Sequence, residues 1–470
     1  MQNQGLEIDR EYNEKYGFKS NVDYVYVPEK GLSEDVIKSI SKIKGEPKWM
    51  LEKRLSAYKV FKQKPLPNWG IDLSGINFDD LYYYMKPTEK KAVDWSELPD
   101  EIKETFDKLG VPEAERKFFA GTEAQFDSEA VYGSVKKALE EQGVIFTDMD
   151  TAVREHGDII KRFFGSVVPM TDNKFAALNT AVWSGGSFVY VPKGVKVKLP
   201  LQAYFRINAA DFGQFERTLI IAEEGSDLTY LEGCTAPIYI KSSLHAAVVE
   251  IVAKDGAHVK YVTVQNWSKN VYNLVTQRAH AEKDAKIEWI DVNLGGKGNM
   301  KYPCILLKGE NAEAEIMSVA IASSGQVQDT GGKLYHLAPN TRSRFVSKSV
   351  SSGNGNAIAR FLVHIDKNAK NATVYTKCDA MLMDEESKAS TYPYLENNSE
   401  DASLAHEASI GKISKEAVEY LMSRGISEDD AKAMIVFGFI SNIVQGLPMD
   451  YLLELKRLIE LDIEKEKKII

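Results

Sequence analysis

The stretch His258-Val259-Lys260-Tyr261-Val262 alternates apolar side chains with polar ones, and the alternation returns in Lys286-Ile287-Glu288-Trp289-Ile290 and in Glu315-Ile316-Met317-Ser318-Val319. Each stretch follows a turn rich in Gly, Asn or Asp. Such alternation is typical of a β-strand that buries one face. The chain from about residue 187 to residue 407 therefore consists, by this pattern, of many short strands.

The strands recur at a nearly constant spacing. One apolar anchor can be chosen in each: Val197, Leu228, Val259, Ile287, Ile316, Phe345 and Val374. The anchors are 31, 31, 28, 29, 29 and 29 residues apart, and Leu404 follows at 30. This period indicates stacked coils whose strands pair in parallel. We predict a mainly β fold with a right-handed parallel β-helix core. A large antiparallel sandwich is the alternative, although it would not require so regular a spacing.

Helical patterns flank the repeats. Ser33 precedes two acidic residues and an apolar spacing typical of a helix, and Ser128 to Leu139 and Thr151 to Phe164 show similar patterns. We therefore predict a mainly helical N-terminal domain (residues 1–165), a β-helix core (166–410) and a helical C-terminal domain (411–470).

The C-terminal region has two interpretations. Ser427 caps a predicted helix with an almost wholly apolar run, and Gly446-Leu447-Pro448 separates it from an amphipathic helix predicted from Met449 to Leu461. These helices could close the end of the solenoid. Alternatively, they offer a docking surface for a partner.

Composition excludes several classes of protein. A chain of 470 residues with 44% apolar residues exceeds the size at which one compact core keeps growing, which predicts a long repetitive core or two to three domains. The net charge of −9 argues against binding to nucleic acid or anionic membranes. Three cysteines without CxxC spacing, and a start without a secretory signal, predict a soluble cytoplasmic protein. Gly295-Gly296-Lys297-Gly298 and Gly331-Gly332-Lys333 lack the spacing of a phosphate loop, so an intrinsic NTPase is disfavoured.

The strand register brings three functional side chains to one face. Cys234 lies six residues after Leu228, Cys378 four after Val374, and His406 two after Leu404, so all three are predicted to point into the solenoid, with Glu407 pointing outward. Cys378 and His406 fall on adjacent coils, whereas Cys234 is five coils away, roughly 24 Å. A thiol, an imidazole and a carboxylate can hold a soft metal. Each residue also fits ordinary packing, and spacing alone leaves both interpretations open.

Further segments of the chain carry a resemblance to a known family: Phe205-Arg206-Ile207-Asn208, Gly213-Gln214-Phe215-Glu216-Arg217-Thr218-Leu219, Glu232-Gly233-Cys234-Thr235-Ala236-Pro237, Val264-Gln265-Asn266-Trp267, Lys301-Tyr302-Pro303, Gln328-Asp329-Thr330-Gly331, Cys378-Asp379 and His406-Glu407-Ala408. They resemble the SufB family, the scaffold subunits of the SUF iron–sulfur cluster assembly system. The resemblance covers nearly the whole chain from Trp69 to the C-terminal helices. The sister family SufD shares the β-helix, but the Cys-Asp and His-Glu-Ala pair favours SufB.

The resemblance implies a non-enzymatic assembly scaffold. It makes Cys234 the residue that receives persulfide sulfur from a cysteine desulfurase relay, and Cys378 the acceptor on which a transient iron–sulfur cluster is built. It makes Glu407 and His406 further ligands of the cluster iron, at the interface with a second SufB or a SufD chain that docks on the β-helix. The residues implied to line an internal sulfur route are Arg206, Asn208, Gln265 and Trp267.

The C-terminal helices are implied to bind the ABC-type ATPase SufC, in which ATP hydrolysis would take place. A reduced flavin in the complex is left open. Two positions depart from the family, since many members carry Lys where this chain has Gln277 and an acid where it has Ala405. Cys304 is interpreted as structural.

Two other functions stay open at this point. A SufD-like structural partner without cluster ligands of its own would leave Cys378 dispensable. A β-helix carbohydrate-active enzyme would place Asp329, Arg342, Arg344 and Asp366 in a groove on the outer face, although no signal exports the chain to such a substrate.

Overall fold

A computed structural model describes residues 18–89, 91–92, 94–209, 211–236, 243–445, 447, 452 and 455–460. Of the helix predicted from Met449 to Leu461, residues 452 and 455–460 are described and are helical. The rest of that helix, and most of the break at Gly446-Leu447-Pro448, lie outside the described residues.

Ten helices have defined bounds in the described part of the chain, and short 3₁₀ turns occupy Phe78–Asp80 and Trp95–Glu97. The helices are α1 (Glu34–Ile43), α2 (Lys48–Gln63), α3 (Asp100–Lys108), α4 (Val111–Phe118), α5 (Lys137–Glu140), α6 (Met149–Glu155), α7 (Gly157–Phe163), α8 (Lys174–Val182), α9 (Lys415–Ser423) and α10 (Glu428–Val444).

The strands are β1 (Gly121–Phe126), β2 (Glu129–Val135), β3 (Ile145–Asp148), β4 (Ser187–Val191), β5 (Leu201–Arg206), β6 (Gly213–Gln214), β7 (Arg217–Ala222), β8 (Asp227–Thr235), β9 (Ser243–His245), β10 (Val248–Ala253), β11 (His258–Trp267), β12 (Val271–Ala281), β13 (Lys286–Gly295), β14 (Gly298–Lys301), β15 (Cys304–Leu307), β16 (Glu313–Ala322), β17 (Val327–His336), β18 (Arg342–Ser351), β19 (Asn356–Ile365), β20 (Thr373–Leu382), β21 (Lys388–Asn397) and β22 (Ser403–Lys412).

Two long sheets form the walls of a solenoid of about eight coils. Sheet 1 has the order β2-β1-β5-β8-β11-β13-β16-β18-β20-β22, and sheet 2 runs from β3 through β4, β7, β10, β12, β14, β17 and β19 to β21. Successive coils pair in parallel in both sheets, and antiparallel pairing is confined to β1–β2 and β3–β4 among the described strands. The predicted parallel β-helix core with flanking helices is confirmed.

The register agrees with most of the predicted anchors. Leu228 pairs with Val259, and Val374 pairs with Leu404. The anchors chosen at Ile316 and Phe345 are wrong by two residues, because Ile287 pairs with Ala314, only 27 residues later. Side chains alternate with a period of two, so a shift of two residues keeps the same face inward.

The N-terminal region contains more strand than expected. The helix capped by Ser33 is confirmed as α1, with the Ser33 hydroxyl accepting a hydrogen bond from the Val36 amide at 3.2 Å. The helical interpretation of Ser128 to Leu139 is wrong, because this stretch forms β2 followed by the short α5. β2 pairs with β1, which in turn pairs with β5. Long-range pairing therefore overrides the local pattern, and the sheets begin before residue 166.

The C-terminal helix α10 lies along the outer face of sheet 1. It begins after Ser427, as predicted, and Val436 and Ile440 pack in one apolar cluster with Val319 and Val346 of sheet 1. The interpretation of α10 as a cap over the end of the solenoid is therefore wrong. No helix of the residues described is long and apolar enough to span a membrane.

Gly331 marks a place where sheet 2 leaves no room for a side chain. It pairs with Arg360 of β19, and a Cβ at Gly331 would lie 1.6 Å from the Arg360 carbonyl oxygen. We expect Gly331→Ala to lower the free energy of unfolding by about 1–3 kcal/mol, measured by urea denaturation, because backbone must move. Gly411→Ala in β22, where a Cβ meets nothing within 4 Å, is the control and should stay within about 0.5 kcal/mol of the parent. Equal effects of the two substitutions would refute the steric argument.

Candidate functional site

Cys378 lies in the middle of β20, inside the solenoid. It pairs with Ser347 on one side and Ala408 on the other, and only 2% of it is exposed. Burial, and then the charge of Asp379, raises the pKa of the Cys378 thiol to about 12. The thiol is therefore protonated near neutral pH.

His406 and Glu407 lie on the adjacent coil, as predicted, but on opposite faces. His406 pairs with Thr376 and shares the inward face of Cys378, and its Nδ1 lies 3.0 Å from the Thr376 hydroxyl. Glu407 pairs with Lys377 on the outer face, and the Lys377 ammonium lies 3.3 Å from its carboxylate. Among the described residues no three His, Cys, Asp or Glu side chains converge into a metal-holding group. The Cys378 thiol and the His406 imidazole therefore share the inward face, whereas the Glu407 carboxylate lies on the outer face of the terminal coil.

The coil that carries His406 is the last one of the solenoid. β22 pairs with β20 and β21 pairs with β19, and among the described strands neither has a second neighbour. Most of β22 is exposed, including the inward-facing Ala408 and Ile410. Tyr392 and Tyr394 of β21 are exposed by 51% and 58%. The interior thus opens to the surface one coil from Cys378.

Cys234 lies near the other end of the solenoid, in β8. It pairs with Phe205 and Gln265 and is buried in the same interior apolar cluster as Cys378. Five strand steps separate β8 from β20, as predicted, and at one strand spacing per step this amounts to roughly 24 Å. Burial, and then the charge of Glu232, raises the pKa of the Cys234 thiol well above its ordinary value.

A column of polar side chains runs along the interior from the coil of Cys234 to Cys378. Successive strand pairs align, one residue per coil, Glu232, Thr263, Asp291, Ser318, Ser347 and Cys378. All six are buried. Beside the column, the Lys301 ammonium lies 2.5 Å from the Asp291 carboxylate, and neither side chain has exposed surface. This column was not predicted from the sequence, although a polar residue at an inward position of each repeat was the signal for it.

The four residues implied to line the route do not lie together. Gln265 and Trp267 point inward, and the Trp267 indole donates to the Gln265 side-chain oxygen at 3.2 Å. Arg206 and Asn208 alternate with Phe205 and Ile207 of the interior cluster, and they hold the N-terminal segment from the opposite face. The Arg206 guanidinium donates to the Phe18 carbonyl at 2.6 Å, and Asn208 bonds both the amide and the carbonyl of Ser20 at 2.9 Å. The expected placement of Arg206 and Asn208 along an interior route is therefore wrong.

Cys304 and the two positions at which this chain departs from the family, Gln277 and Ala405, also have defined positions in the structure. Cys304 is buried between the strand partners Arg278 and Lys333, and burial raises its pKa. Gln277 is buried and pairs with Val249 of the interior cluster. Ala405 is exposed on the outer face, where it pairs with Tyr375.

Comparison with known proteins identifies the group to which this architecture belongs. Residues 205–439 match the family model described as the SUF system FeS cluster assembly SufBD core domain, and residues 38–203 match the SufBD protein N-terminal region. The chain belongs to the SufBD family. It is 54% identical over 450 residues to a protein of Staphylococcus haemolyticus named as an iron–sulfur cluster assembly SufBD family protein, with 96% of this chain and 97% of that protein covered. A Staphylococcus aureus protein of the same description is 53% identical over the same shares.

Membership of the SufBD family fixes the general role. The chain is an iron–sulfur cluster assembly protein of the SUF system. This family does not favour the carbohydrate-active alternative. Three of the four residues considered for it are engaged in ion pairs, Asp329 with Arg360, Arg342 with Glu313 and Arg344 with Glu315.

Proposed function

We propose that this SufBD-family chain is a SufB-type scaffold, on which sulfur and iron combine into a transferable iron–sulfur cluster at Cys378. One observation carries the proposal: Cys378 is an interior thiol one coil from the open end of the solenoid, and His406 faces the same way on the terminal coil. A cluster is the cargo of this site. It must therefore be held firmly enough to form and loosely enough to leave.

The ligand set suits a labile cluster. Thiolates bind iron and sulfide well, and four of them would hold a cluster tightly. Here Cys378 is the single thiol at the open end, so mixed ligation with His406 or Glu407 leaves places for groups from a second chain. Because the pKa of the Cys378 thiol is raised to about 12, iron binding must displace its proton, and assembly should release acid.

Two exposed surfaces support the proposed protein partners. Among the described strands, β21 and β22 each have one unpaired edge. These edges offer backbone groups and aromatic side chains to a second SufB or a SufD chain, by strand addition one coil from Cys378. On the C-terminal helices, Tyr420, Met422 and Met434 are exposed and suit docking of a SufC-type ATPase. Persulfide sulfur would come from a cysteine desulfurase relay to Cys234. Free buried thiols fit a reducing cytoplasm.

Anaerobic reconstitution tests the role of Cys378. The chain is combined with its ATPase and sister subunit, iron and sulfide, and the visible absorbance of the cluster is recorded. We expect Cys378→Ser to lose the cluster spectrum, because a hydroxyl is a poor ligand for iron in such a site. Cys304→Ser, which alters a buried cysteine away from the open end, should reconstitute like the parent.

A full cluster spectrum from Cys378→Ser would overturn the proposal. That outcome is the one expected of a SufD-like structural subunit, so the experiment separates the two functions.

A further inference from the structure

Glu232 is an interior carboxylate beside the Cys234 thiol. The two residues are two positions apart on β8 and therefore share one face. The thiol donates to Glu232 Oε1 across 3.8 Å, and Glu232 Oε2 accepts a hydrogen bond from the Tyr261 hydroxyl at 2.7 Å. Tyr261 thus holds the carboxylate with its other oxygen toward the sulfur.

The sulfur also faces a hydrogen-bond donor. The Gln265 side-chain nitrogen donates to Cys234 Sγ at 4.0 Å. The orientation of this amide is fixed, because its oxygen accepts from the Trp267 indole at 3.2 Å and from the Asn273 amide at 2.5 Å. The Glu232 carboxylate can therefore take a proton from the Cys234 sulfur, while the Gln265 amide stabilises the thiolate that remains.

The charges around Glu232 come from several elements. Burial, and then the charge of Glu216, raises the pKa of Glu232 to about 7. The hydrogen bond from Tyr261 and the charges of Lys301 and His245 act in the opposite direction. His245 is itself held between Asn273, at 2.6 Å, and the Glu216 carboxylate.

A thiol buried among these groups needs a base. Only the thiolate attacks sulfur, and Cys234 holds its proton near neutral pH. Glu232 combines contact with the sulfur and a pKa near 7, which are the two requirements of a general base in that range.

We propose that Glu232 is the general base that takes the proton from Cys234 when Cys234 accepts sulfur from a donor persulfide. The inference rests on the proposed function, which makes Cys234 the sulfur acceptor. The Cys234 thiolate attacks the outer sulfur of the donor, a new S–S bond forms on Cys234, and the donor S–S bond breaks with its electron pair left on the donor thiolate. No net oxidation or reduction takes place, and the proton rests on Glu232.

Alkylation of Cys234 in the isolated full-length chain tests the base directly. The chain is treated with iodoacetamide in buffers that span the pKa of Glu232, and mass spectrometry follows the peptide that contains Cys234. The parent rate should rise with pH, bend near the pKa of about 7 and then level. In Glu232→Gln the rate on the plateau should fall by roughly 100-fold and the bend should vanish. Cys378 in the same sample should react at an unchanged rate.

Two further variants exclude a merely structural effect. Glu216→Gln removes the charge that raises the pKa of Glu232, so the bend should move to lower pH while the plateau rate is kept. Tyr261→Phe removes a hydrogen bond that lowers this pKa, so the bend should move to higher pH. If Glu232→Gln opens the fold, Cys378 and Cys304 will react faster as well. In that case the pH profile of Tyr261→Phe decides whether Glu232 is the base.

An unchanged pH profile in Glu232→Gln, or in Tyr261→Phe where that variant decides, would overturn the inference. The measurement uses neither iron nor partner chains. Its failure is therefore distinct from failure of the cluster reconstitution that tests the proposed function.

Discussion

Replacing Arg217 with alanine is expected to lower the free energy of unfolding by about 3–5 kcal/mol. Arg217 and Glu250 form an ion pair at 2.5 Å with no exposed surface on either side chain. Glu250 also accepts hydrogen bonds from the amides of Gly165, Val167 and Val168. Removal of the guanidinium would leave the buried Glu250 carboxylate without its counter-charge. The loop of residues 165–168, whose amides this carboxylate binds, would then be held less firmly against sheet 2.

Urea denaturation of Arg217→Ala checks this expectation, with Lys193→Ala as the matched control. Lys193 forms an ion pair with Glu224 at 2.6 Å, but both side chains are largely exposed. An exposed pair contributes about 0–1 kcal/mol, so Lys193→Ala should change little. If the two variants lost the same stability, the buried pair would have no special role in holding the loop.

Cys234→Ser is expected to stop cluster assembly from a persulfide donor by more than about 100-fold, as is usual when a nucleophile is removed. Assembly from free sulfide should remain near the parent rate, because sulfide can reach Cys378 through the open end of the solenoid. Cys234 lies about 24 Å from Cys378 and is not on that path. The two assays are run side by side under anaerobic conditions with the same partner subunits, and cluster absorbance is followed with time.

Cys304→Ser serves as the control in both assays, since Cys304 lies between Arg278 and Lys333, away from the polar column. A loss of assembly from free sulfide equal to the loss from persulfide would show that Cys234→Ser damages the fold. In that case the separate roles assigned to the two interior cysteines would have to be abandoned.

The repeat predicted the solenoid because alternation and spacing are local properties of the sequence. Placing Cys378 one coil from His406 required only that Val374 and Leu404 be equivalent, and they are. The same reasoning misplaced Ile316 and Phe345, since a period of two cannot detect a shift of two residues. Coil length varies, and only backbone pairing between coils reveals where a coil is shorter.

Features that depend on distant contacts could not be predicted in this way. β2 looked helical because its partner β1, which also pairs with β5, is not visible in a local pattern. The resemblance named Arg206 and Asn208 as lining the interior, but they hold Phe18 and Ser20 from the other face. The contact between Lys301 and Asp291 joins the two sheets across the interior, and it depends on the registers of both.

The single neighbour of the terminal coil has an energetic consequence. In a stack of repeats, stability is approximately a sum of nearest-neighbour terms along one dimension. A middle coil is stabilised by two interfaces, whereas the coil of β21 and β22 has one among the described strands. We therefore expect local unfolding to be easier in the coil that carries His406 and Glu407 than in the middle coils. A docked chain would supply the second interface and make this coil an inner one. Partner binding would then be thermodynamically coupled to the ordering of the coil that carries His406 and Glu407.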